Sequence, residues 1–94
     1  MMLTILAMLS DGRLVVVVGR VAWALNELMT AGEAGCSIFE CPAPRWSSYV
    51  YRLRKLGIPI ETVREPHSGP FAGHHARYFL RIQIIILKKA GGES

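Results

Sequence analysis

Cysteine is scarce in this chain. Cys36 and Cys41 are the only two in 94 residues, too few for a disulfide scaffold, so free thiols are expected. Long apolar runs are missing as well. The stretch 1–9 stops at Ser10-Asp11-Gly12-Arg13 and the stretch 14–18 at Gly19-Arg20, and neither nears the roughly 20 residues of a membrane-spanning helix. No basic residue precedes the first stretch and no small-x-small cleavage site follows it, which argues against a secretory signal and for a cytoplasmic protein. Charged residues make up 19% of the chain, below the roughly 25% of an average soluble domain, which sets long disorder aside. There is no glycine-rich phosphate loop, no internal repeat, and no Asn or Asp placed to orient a Cys–His pair. Neither an enzyme nor a bound cofactor is expected.

What the chain has in abundance is apolar residues, 51% of the total. Its length allows one domain, 1–94, and a domain of this size buries only roughly 60–65% of its unfolded surface, so it needs a dense core or a partner. The net charge of +4 is unevenly spread. Residues 1–44 carry two cations against four anions, a net of −2, whereas 45–94 carry nine against three, a net of +6. A basic half of this kind suits a polyanion, with nucleic acid the first candidate.

Two apolar runs around Asp11-Gly12 predict a β-hairpin over 3–18 with a two-residue type I′ turn. Leu9 would then face Leu14, and Ile5 would face Val18. Over 20–31, Val21, Ala24, Leu25 and Leu28 recur at helical spacing and Gly32 supplies a stop. Trp23 lies opposite, either covering the hairpin or meeting a second chain. Ser37 and Glu40 have capping-box spacing and predict a short helix that Pro42 and Pro44 end. Pro44 suits the first position of the next helix. There Trp46, Tyr49, Val50, Leu53 and Leu56 make the strongest helical periodicity in the chain, ended by Gly57. Ser47, Ser48, Tyr51, Arg52 and Lys55 form its other face, flanked by Arg45 and Arg54. A strand over 58–64, a loop over 65–73 with Phe71 covering the core, and one long strand from 75 to 87 complete the pattern. Tyr78, Leu80, Ile82, Ile84 and Ile86 give that strand its core face, and 88–94 is a frayed polar tail.

The run Tyr51-Arg52-Leu53-Arg54-Lys55-Leu56-Gly57-Ile58-Pro59-Ile60-Glu61-Thr62, followed by Ala76-Arg77-Tyr78-Phe79-Leu80, resembles the recognition helix and wing of winged helix-turn-helix domains, chiefly small bacterial and phage proteins. The resemblance covers residues 20–80. It implies an α+β fold, a three-helix core with a C-terminal β-wing, here preceded by an extra N-terminal hairpin. It also implies a non-catalytic, double-stranded-DNA-binding protein, a transcriptional regulator or phage-derived accessory factor. The family also includes protein-interaction and assembly modules that bind no DNA, which is the alternative.

A helix about 10–12 Å across fits the major groove. Ser47, Ser48, Tyr51, Arg52 and Lys55 are the groove-facing candidates, with Arg54 beside them and Arg45 at the helix start for a phosphate. Arg64, His67, His74, His75 and Arg77 are the wing candidates for the backbone or an adjacent minor groove. Cys36 and Cys41 with His67, His74 and His75 could compose a zinc set, but their spacing is not that of a standard knuckle, and buried thiols are the expectation. The hairpin, Trp23 and the end of the last strand exceed what one core absorbs, which predicts a homodimer through the hairpin and C-terminal strand.

Overall fold

In the computed structural model the described residues are 2–43, 45–68 and 73–91, without the side chain of His67. The expectations for Pro44 and Phe71 lie outside them. Strands β1 (Thr4–Leu9) and β2 (Leu14–Val18) form the antiparallel hairpin, but one residue away from the predicted register. The turn is longer than a two-residue type I′ loop. Leu9 N–H donates to the Arg13 carbonyl and Gly12 N–H to the Leu9 carbonyl, each at 2.8 Å, so the loop encloses three residues with Gly12 at φ +91°. Met8 therefore faces Leu14, Ile5 faces Val17 and Thr4 faces Val18. Because strand side chains alternate with period two, this shift decides which valines are inside. Val15 and Val17 are buried with Ile5, Ala7 and Leu9, while Leu14, Val16 and Val18 point to solvent.

Helix α1 (Arg20–Ala31) has the predicted limits, each set by a glycine with positive φ, Gly19 and Gly32. Its buried stripe, Ala22, Ala24, Leu25 and Leu28, is wider than predicted. The helix is buried on two sides because it lies between the β1–β2 hairpin and the next helix. Trp23 is half-buried against the next helix. Its ring packs on Trp46 at 5.5 Å and on Tyr49 at 6.4 Å, and so makes the joint between the two helices.

The predicted three-helix core is not built. The described residues hold two α-helices and a single 3-10 turn, Gly32–Ala34. Ser37 and Glu40 do form a capping box: Ser37 N–H donates to Glu40 Oε1 at 3.2 Å, and Phe39 N–H to Ser37 Oγ at 3.2 Å. They cap one turn only, closed by Cys41 N–H on the Ser37 carbonyl at 3.0 Å, because Pro42 has no amide to continue it. Just before this turn Cys36 pairs with Tyr78 as an isolated bridge on the wing. Gly35 makes that approach possible. It sits at φ +71°, and a Cβ there would lie 2.8 Å from the Tyr78 carbonyl oxygen.

Helix α2 (Trp46–Lys55) buries Trp46, Tyr49, Val50 and Leu53. Leu56, predicted in the core, lies past the helix and is 41% exposed. Strands β3 (Ile60–His67) and β4 (Gly73–Leu80) pair antiparallel from Ile60↔Leu80 to His67↔Gly73. The two strands thus run further into the predicted 65–73 loop, to His67 and from Gly73, and β3 starts at Ile60 rather than at 58. The long last strand is in fact two. At Arg81 the chain leaves the wing, and β5 (Ile84–Ala90) pairs with β1 from Leu9↔Ile84 to Thr4↔Ala90. The result is a three-stranded sheet, β2-β1-β5, beside the two-stranded wing. Residues 88–90, predicted as frayed tail, belong to β5, and Lys89 Nζ donates to Asn26 Oδ1 of α1 at 3.0 Å. The layers run from the three-stranded sheet through α1 to α2, with the wing packed against both helices.

Candidate nucleic-acid interface

Between Arg45 and Leu56 the chain has four cations and no carboxylate. Arg52, Arg54 and Lys55 fall in the last turn of α2, where the helix dipole favours positive charge. With Trp46, Tyr49, Val50 and Leu53 turned inward, Ser47, Tyr51, Arg52 and Lys55 are exposed and Ser48 is half-buried. The Lys55 ammonium lies 5.7 Å from the Tyr51 ring, which keeps both on the outward face. Arg45, also exposed, precedes the helix and makes no side-chain cap.

Arg54 behaves differently from its neighbours. Its guanidinium donates to the Ile60 carbonyl at 2.6 and 3.1 Å and to Thr62 Oγ1 at 2.8 Å, clamping the end of α2 to the first wing strand. Other contacts fix the same junction. Trp46 stacks on Tyr78 at 5.8 Å and donates from Nε1 to the Cys41 carbonyl at 2.6 Å. Arg13, from the hairpin turn, donates to the Gly57 carbonyl at the end of α2 at 2.9 Å. Arg13 lies 44 positions from Gly57, and nothing local in the sequence marks the pair.

The wing has two unlike faces. Thr62 and Tyr78 face α2, and by the period of two Arg64 and His74 share their side; both are exposed. The other face carries Glu61, Glu65, His75, Arg77 and Phe79. There Arg77 donates to both Glu65 oxygens at 2.9 Å, to both Glu40 oxygens at 3.1 Å and to the Ala34 carbonyl at 3.1 Å. His75 Nε2 lies 3.0 Å from Glu65 Oε1, and Arg81 pairs with Glu61 at 2.6 Å. Hydrogen bonds from Arg77 and then Ser37 hold the Glu40 carboxyl down at about 2, and Arg77 lowers Glu65 in the same way. Both stay ionised across the neutral range. The wing's carboxylates are therefore gathered, with partners, on the side away from α2. Arg77 is tied to the capping-box turn and His75 to Glu65. His67, the remaining wing candidate, has its side chain outside the described residues.

Cys36 is buried and its thiol donates to the Glu27 carbonyl at 3.3 Å. Burial pushes this thiol up to about 12, and burial also raises that of Cys41. Protonated thiols of this kind are poor metal ligands and poor nucleophiles. Among the described residues no three His, Cys, Asp or Glu side chains gather as a metal set, and no helix is long and apolar enough to cross a membrane.

None of the curated proteins and none of the solved structures matches this chain. A family model described as a winged helix domain matches residues 14–90, from the second strand of the hairpin through both helices and the wing to the last strand. That fold is of the helix-turn-helix, DNA-binding type, and domains built on it are typically non-catalytic. The chain belongs to the winged helix domain family.

Proposed function

We propose that this domain binds double-stranded DNA through α2 and the α2-facing side of the wing, as a non-catalytic, cytoplasmic regulator or phage-derived accessory factor. The observation that carries the reading is the sorting of charge. Arg45, Arg52, Lys55 and Arg64 are exposed on the α2 side, whereas the wing carboxylates Glu61 and Glu65 are held by Arg81 and Arg77 on the other. Ser47, Ser48, Tyr51, Arg52 and Lys55 meet base edges in the major groove, and Arg45, Arg64 and His74 meet phosphates. Arg54 and Arg77 act one step back, holding α2 and the wing in place. Self-association through the hairpin and the C-terminal strand belongs to the same reading.

Fluorescence anisotropy with a labelled duplex, at 50 and 200 mM salt, tests it. Each phosphate contact contributes about 0.9 to the slope of log affinity against log salt, so Arg45→Ala with Arg64→Ala flattens the slope by about 2 units. Arg64→Ala alone flattens it by about 1. No binding at low salt, or a double variant with the slope of the parent, overturns the proposal.

A further inference from the structure

Among the described residues, the three-stranded sheet has one face on α1 and the other uncovered. On the uncovered face, Leu14 is 62%, Val16 57% and Ile85 58% exposed, and Met2, Val18 and Leu87 are exposed beside them. Leu6 and Met8 of the central strand lie between and are only half-covered. Lys88, paired with Leu6, is the one charged side chain that the three strands turn to this side. The six exposed side chains leave on the order of 600 Å² of apolar surface open, at the top of the range for the largest patch on a monomer. Two such faces closed on each other bury on the order of 1,200 Å², which is the low end of a standard specific interface.

We propose that this face is the contact between two copies of the chain, packed sheet on sheet about a two-fold axis. The occupant is a second copy because the surface has almost no charge with which to select a polar partner, and a flat array of branched side chains interdigitates with its own kind. Face packing, rather than pairing along the β2 or β5 edge, follows from where the apolar atoms are. Edge pairing would satisfy backbone groups and leave all six side chains in water.

The layer order gives this dimer a particular geometry. The sheet packs on one side of α1 and α2 packs on the other, so the exposed side of α2 faces away from the contact. The two α2 helices then point outward from opposite ends of the dimer. In a helix-turn-helix dimer that reads two half-sites on one duplex, the recognition helices lie side by side about 34 Å apart. Here one dimer engages two separate duplexes. This last step rests on the DNA reading above; the contact sharpens the self-association proposed with it and stands whether or not DNA is bound.

Sedimentation equilibrium of the full chain and of Val16→Glu and Ile85→Lys tests the contact. Both substitutions sit at exposed positions, and far-UV circular dichroism reports whether each variant is folded. The parent is expected to be a dimer at tens of micromolar and both folded variants monomers. A monomeric parent at that concentration, a folded variant that stays dimeric, or a monomeric parent that binds phosphatidylcholine vesicles instead overturns the proposal. Bridging is read separately, by co-capture of a fluorescent duplex on beads carrying a second duplex. The parent co-captures, and Val16→Glu binds DNA by anisotropy yet captures no second duplex. A dimer that binds no DNA overturns the DNA reading and leaves the contact standing; a dimer that binds but never bridges overturns the outward geometry.

Discussion

The two sheets of this domain are built alike and finished differently. Each is antiparallel and lays one face on the core, the arrangement in which the far side is normally polar. The wing follows that rule. Its far side carries Glu65 against Arg77 and His75, and Glu61 against Arg81, with Phe79 under the Arg81 guanidinium at 4.7 Å. The three-stranded sheet breaks it, turning Leu14, Val16, Val18, Ile85 and Leu87 outward. The difference teaches where each sheet expects water. Charged partners finish the wing within the chain, whereas the far side of the other sheet is apolar and uncovered among the described residues.

The most forceful way to break this comparison is to remove the core beneath both sheets. Leu25 is fully buried, and Leu25→Ala should cost about 2–5 kcal/mol in urea denaturation, enough to unfold much of so small a domain. Gly35→Ala acts on the wing alone. The positive φ and the collision with the Tyr78 carbonyl should cost about 2 kcal/mol or more, with hydrogen exchange rising at the Cys36 and Tyr78 amides before it rises in β1. Val17 and Val16 compare the two faces of a single strand. Val17→Thr buries a hydroxyl and should cost about 1–3 kcal/mol, while Val16→Thr should change the folding of a monomer by less than about 0.5 kcal/mol.

Acid has the smallest effect and addresses only the wing. Glu40 and Glu65 ionise more readily folded than unfolded, because Arg77 is beside them. Between the ordinary carboxylate range and about 2, the unfolded chain therefore binds more protons, and stability falls as pH falls. Their contribution is complete above roughly pH 5 and is lost progressively toward pH 2. Thermal melts from pH 6 to pH 2 should show this loss, reduced in Arg77→Gln.

Much of this architecture is legible in the sequence, and the misses share a cause. The end of α1 follows from Gly32, and the inner side of α2 from a spacing that only a helix explains. Those are local signals. The hairpin turn is local too, but Asp-Gly fits both two- and three-residue loops, and the difference of one residue reverses the sides of β2. The break at 81–83 is invisible because Leu80, Ile82, Ile84 and Ile86 keep their alternation while the strand changes partner. The capping box is legible, yet capping strength does not say how long the capped helix will be. At the interface, the exposed stripe of α2 follows from periodicity. That Arg77 is held by Glu40, 37 positions away, and Arg54 by the base of the wing, depends on tertiary proximity that no spacing encodes.

The pairing of β1 with β5 also sets an order of events in time. Thr4 meets Ala90 and Leu9 meets Ile84, so the central strand of the larger sheet waits for the last strand of the chain. At about 5–20 residues per second, the 65 residues between Val18 and Ile84 take a ribosome roughly 3–13 s. Throughout that interval the hairpin, rich in apolar side chains, has an unpaired edge at β1, and its outer face stays open even once α1 is made. Hairpins form in microseconds, so the delay belongs to synthesis and not to the folding of either part. This makes the nascent chain, more than the finished domain, the form of this protein most exposed to aggregation and most in need of a chaperone's cover.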